Sequence, residues 1–75
     1  MNLSPDAPDA VLLALVDGPA SVLDLASLCE LSATQTQLAA VSLVARGHAS
    51  WNRRTGWYSL TKAGRAVAVE MEATP

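Results

Sequence analysis

Apolar residues along the first half of the chain recur at intervals of three and four, the spacing of one helix face. Leu12, Leu15 and Val16 form the first such stripe and predict a helix from about Pro8 to Asp17, with Pro8 suited to a first turn. Gly18-Pro19 breaks it. Ser21, with Asp24 three residues on, has the spacing of a helix cap, and Val22, Leu25, Ala26 and Cys29 continue as a second stripe. Ser32 and Gln35 repeat the capping pattern for a third helix, which runs to Arg46 and stops at Gly47. Only "ELS" separates the second helix from the third, and so tight a join is a helix-turn-helix arrangement.

Beyond Gly47 the helical period disappears. "HASWNR" and "WYSL" flank "RTG", and Gly56 can take a positive-φ turn position, so a β-hairpin is predicted over about His48–Arg53 and Trp57–Leu60. Thr61 then caps a last helix from about Lys62 to Ala73, with Leu60, Ala63, Val67 and Met71 as its inward stripe. Residues 1–7 are expected to fray, which leaves a single domain over 8–73.

At 75 residues, 51% of them apolar, the chain is near the size at which one core is only marginally adequate. With no Phe, the core is expected to use Leu, Val and Ala, with Trp51, Trp57 and Tyr58 as the large pieces. Leu13, Val41 and Val69 fall off the inward stripes, which suggests that part of the apolar surface meets a second copy, through the first and last helices together. The longest apolar run, Ala10 to Val16, is far below the roughly 20 residues that cross a bilayer. Met1 to Pro8 has neither positive charge nor an apolar run, so a cytoplasmic location without membrane contact is expected.

Net charge is −2, yet the charges are segregated. Arg46, Arg53, Arg54, Lys62 and Arg65 all lie between positions 31 and 69, where there is no acid, and every acid lies outside that window. Clustering of this kind gives one positive side to an acidic protein and suits a phosphate backbone. Catalysis has little foothold: Cys29 and His48 stand alone and on different elements, and the carboxylates are spread. One Cys and one His do not make a zinc site, and isolated glycines do not make a phosphate loop, so no enzyme activity, metal or cofactor is expected.

The order helix, tight helix-turn-helix, hairpin, helix resembles the winged-helix DNA-binding domains of bacterial regulators such as the MarR, PadR and ArsR families. "LLALVDGPASVLDLASLCELS", "LVARGHA" and "GWYSLTKAGR" carry the resemblance, in the right order, over roughly residues 10–68. It implies a mainly α member of the α+β class: three helices, a two-stranded hairpin wing and a C-terminal helix. It also implies that Tyr58 and Leu60 face inward and that the third helix packs through Thr36, Ala40 and Leu43.

The exposed residues would then carry function. Thr34, Gln35, Gln37 and Ser42 of the third helix are candidates for base edges, and Arg46 for a phosphate. Asn52, Arg53 and Arg54 at the wing tip suit the backbone or the minor groove, and Lys62 and Arg65 can add backbone contacts. These features imply a small duplex-DNA-binding regulator acting as a homodimer, such as a repressor of bacterial or phage origin. One feature points elsewhere. Leu38, Val41 and Val44 make the third helix apolar nearly all round, so it is expected either to pack in a rotated register or to meet a protein partner through an exposed Leu38 and Val41.

Overall fold

The first stripe forms α1 (Ala7–Ala14), whose end tightens into a 3₁₀ turn, Leu15–Asp17. The computed structural model describes residues 7–73. The expected frayed stretch lies outside them, apart from Ala7, which is helical. Gly18, at φ 140°, takes the backbone where an L side chain would be strained.

Ser21 opens α2 (Val22–Cys29), its hydroxyl accepting from the Asp24 amide at 3.2 Å. Glu30 closes it in the left-handed region, φ 55°, and Leu31 donates to the Ala26 carbonyl at 3.0 Å. Ser32 then opens α3 (Ala33–Ala45) with a full capping box: its hydroxyl accepts from the Gln35 amide and its own amide donates to Gln35 Oε1, both at 3.1 Å. Arg46 is the C-cap, and Gly47 turns the chain at φ 80°.

The core joins Val11, Leu12 and Leu15 to Leu25, to Ala39, Ala40 and Leu43, and to Ala49, Tyr58 and Ala68. Thr36 is the polar residue buried with them, and its hydroxyl is satisfied by donating to the Ser32 carbonyl at 2.8 Å. The third helix thus packs through Thr36, Ala40 and Leu43 as expected, with Ala39 added, and not in a rotated register. The tryptophans depart from expectation. Trp51 and Trp57 are about half exposed, and Tyr58 alone of the large aromatics is in the core.

Strand β1 (Ala49–Trp51) pairs antiparallel with β2 (Tyr58–Leu60), matching Ala49 to Leu60, Ser50 to Ser59 and Trp51 to Tyr58. Both strands are shorter than the sequence suggests, with the turn closed by the Asn52 amide on the Trp57 carbonyl. The two-residue period puts Ala49 and Tyr58 inward and sets the Ser50 and Ser59 hydroxyls 3.3 Å apart on the other face. On its free edge β2 meets Ala20: the Ala20 amide donates to the Tyr58 carbonyl at 3.0 Å, and the Tyr58 amide donates to the Ala20 carbonyl at 2.8 Å. The hairpin is thereby fastened to the loop between α1 and α2.

Helix α4 (Lys62–Ala73) follows directly. It buries Gly64 and Ala68, with Val67 and Met71 beside them, while Ala63 of the predicted stripe is exposed and Leu60 is half-buried. The helix phase is set by a close approach. A Cβ on Gly64 would collide with the His48 carbonyl oxygen and lie 2.8 Å from its carbon.

Candidate nucleic-acid interface

The 3.6-residue period that buries Thr36, Ala40 and Leu43 places Thr34, Leu38, Val41 and Ala45 on the opposite strip of α3. All four are exposed, Leu38 by 67% and Val41 by 49%, with exposed Gln37 and half-buried Ser42 on the borders of the strip. Leu38 also lines a shallow apolar groove with Ala7, Pro8, Gln35 and Ala39. Gln35 is exposed, but its Oε1 is held by the Ser32 amide, so only its Nε2 group remains for another partner.

The wing is a compact turn between Asn52 and Trp57. The Asn52 amide donates to the Trp57 carbonyl at 2.9 Å, and the Gly56 amide to the Asn52 carbonyl at 2.7 Å. Asn52 Oδ1 accepts from the Arg54 amide at 2.8 Å, an Asx turn, and also from the Thr55 amide at 3.4 Å. Thr55 Oγ1 accepts from the Trp57 amide at 3.2 Å, and Gly56 takes φ 75°. This internal bonding holds Arg53 and Arg54 at an exposed tip, and it makes Asn52 the builder of the wing as well as a candidate contact. A shallow groove beside the tip gathers Ser50, Trp51, Asn52, Arg53, Arg54 and Ser59. Ser50, Ser59 and Trp51 are additions that the sequence reading missed. The signal available was the strand period, which turns both serines outward.

Thr61 ties the far end of α3 to the start of α4. Its hydroxyl accepts from the Gly64 amide at 3.0 Å and donates to the Gly47 carbonyl at 2.6 Å, and its amide donates to the His48 carbonyl at 3.0 Å. Arg46 and Lys62 flank this junction and are both exposed, as is Arg65 one turn along α4. The candidates therefore fall into three sets: Thr34, Gln37 and Ser42 along α3, Arg46 with Lys62 at the junction, and Asn52, Arg53 and Arg54 on the wing.

Elsewhere the chemistry is sparse. Partial burial raises the Cys29 thiol pKa from its ordinary value. Among the described residues no group of three or more His, Cys, Asp or Glu could hold a metal ion. No described helix is long and apolar enough to cross a membrane.

No family model matches the chain, and no curated protein matches its sequence. Solved structures do match. Bordetella bronchiseptica BpsR, whose DNA binding is regulated by 6-hydroxynicotinic acid, superposes with a TM-score of 0.83 at 27% identity, covering 95% of this chain and 54% of that one. A MarR family transcriptional regulator from Silicibacter pomeroyi DSS-3 gives 0.83 at 25% identity, covering 92% of this chain and 52% of that one. Lactococcus lactis ZitR in complex with DNA gives 0.79 at 19% identity, over 96% of this chain and 52% of that one, and shows likeness of fold. The chain spans about half the length of the structures it matches. It is a mainly helical winged helix-turn-helix domain, similar to MarR family transcriptional regulators, which are winged-helix DNA-binding proteins.

Proposed function

We propose that the chain is a sequence-specific transcriptional regulator that binds duplex DNA as a homodimer in the cytoplasm. In this reading α3 enters the major groove, and the wing over residues 52–56 lies on the backbone or in the minor groove. The observation that carries it is the wing itself. Two arginines are held at an exposed tip by the Asn52 turn, within the acid-free window from 31 to 69. Arg46 and Lys62 extend the same charge to the α3–α4 junction. With 5 basic residues per chain, one copy neutralises few phosphates, and a pair doubles the number. Val69 on α4, 63% exposed, and half-buried Leu13 on α1 favour pairing through those two helices. Light scattering of the pure chain at tens of micromolar is expected to give twice the 7.8 kDa chain mass; the mass of a single chain would remove the homodimer.

The test of DNA binding is fluorescence anisotropy on duplexes, including the DNA upstream of the protein's own gene, at several salt concentrations. Replacing Arg53 and Arg54 together by Ala is expected to weaken binding about equally on all sequences and to lower the salt slope by roughly two per chain. If the unaltered chain binds no duplex in a salt-dependent way at micromolar concentration, the reading is wrong. The exposure of Leu38 and Val41 on neighbouring turns of α3 favours a second reading, a protein-interaction module that inhibits or recruits a partner through that face.

A further inference from the structure

The outward strip of α3 has an unusual composition for a helix placed to read bases. Thr34, Leu38, Val41 and Ala45 present only aliphatic carbon and one hydroxyl, and no charged side chain stands on the helix before Arg46. Guanine is read chiefly by Arg or Lys on its O6 and N7, and α3 offers neither. What the major groove does offer an aliphatic strip is the 5-methyl group of thymine, the one apolar feature among its base edges. Gln37, on the border of the strip, has the amide that pairs with adenine N6 and N7, and unlike Gln35 it is not used in the capping box.

We infer that α3 reads A·T pairs by apolar contact, with Leu38, Val41 and Ala45 meeting thymine methyl groups and Gln37 meeting an adenine edge. The inference rests on the DNA-binding reading above and gives it a base preference. Two observations favour a major groove over a protein as the occupant of this strip. The segment that carries it, residues 31–69, holds every basic residue of the chain and no acid, with Arg46 at the end of α3 and Arg53 and Arg54 exposed on the wing that follows, which complements a polyanion. The strip is also a narrow ridge with two large aliphatic side chains, a small part of the roughly 800 Å² per partner that a stable protein interface needs. Affinity and specificity then have separate sources: the arginines supply salt-dependent, sequence-independent attraction, and the aliphatic strip supplies discrimination that salt barely alters.

Thymine-to-deoxyuridine replacement isolates the contact, because it removes the methyl and leaves pairing and charge unchanged. A preferred duplex is first selected from a random pool with the full chain, and its thymines are then replaced one at a time. Replacement of a contacted thymine is expected to weaken binding about fourfold, the effect of losing one buried methyl-sized group. Val41→Ala and Leu38→Ala, at exposed positions where folding is undisturbed, should each erase the thymine–uracil difference at one position and leave the salt slope intact. Equal binding of thymine and uracil duplexes by the unaltered chain, with a normal salt slope, overturns the inference and leaves DNA binding standing. A uracil effect that neither variant changes also overturns it, since the methyl would then act through DNA shape. Absence of salt-dependent binding to any duplex overturns both readings and returns Leu38 and Val41 to a protein partner.

Discussion

Replacing Gly64 by alanine sets two effects of opposite sign against each other. Helix propensity alone favours the change by about 1 kcal/mol, because glycine is a poor residue inside a helix. The position within the fold opposes it. The new Cβ would meet the His48 carbonyl oxygen and lie 2.8 Å from its carbon, and both are backbone atoms that no rotamer change can move aside. Helix α4 must therefore shift, at about 1–3 kcal/mol for an overpacked contact. The shift also loosens the bonds from Thr61 to the Gly47 and His48 carbonyls, each worth about 1 kcal/mol net. The balance is a loss of about 2–4 kcal/mol once the propensity gain is subtracted. A domain of this size has about 4–11 kcal/mol of total stability, so the melting temperature should fall by roughly 10–25 °C. Circular dichroism at 222 nm during heating measures it, with the exposed Ala66→Gly as a control that should cost only about 1 kcal/mol. A Gly64→Ala protein that melts at or above the unaltered temperature would show that α4 does not approach His48 and would refute the reasoning.

Two further outcomes follow from side-chain environments. Leu60→Ala should cost about 1–2 kcal/mol in a denaturant melt, below the roughly 2–5 kcal/mol of a fully buried leucine, because Leu60 is half-buried; a loss above that range would mean the wing root is more enclosed than described. Gln35→Ala should lower stability by about 0.5–1 kcal/mol, because half of the α3 capping box is lost, and should weaken DNA binding by less than Gln37→Ala does; the reverse order in anisotropy would give Gln35 a base contact despite its cap.

What could be read from the sequence was local. Ser21 with Asp24 and Ser32 with Gln35 announce their helices because a cap is made within four residues, and the wing showed through Gly56 and the flanking strands. The errors lie where distant backbone decides. Trp51 and Trp57 read as core pieces because they are large and apolar, but a hairpin of three-residue strands at the domain's edge has room inside for Tyr58 and Ala49 only. Ala63 looked inward by spacing, and Gly64 took the position because only a residue without a side chain fits against His48. At the candidate site, charge segregation already picked out Arg46, Arg53, Arg54 and Lys62. The second roles of Gln35 and Asn52 were harder to see, since an amide oxygen suits a helix cap or a turn as well as a base edge, and only geometry separates these uses.

The link between Ala20 and Tyr58 consists of two main-chain hydrogen bonds, so no side-chain atom takes part in it. That makes the wing a modular part. The tip from Asn52 to Gly56 lies beyond the anchor, and its letters can drift or be exchanged without detaching the hairpin from the helices. A lineage carrying this domain can therefore retune the charge and reach of the tip while the helical scaffold is inherited intact. Proline at position 20 or 58 is the change that would break the arrangement, because at either place it deletes a donor from the anchor.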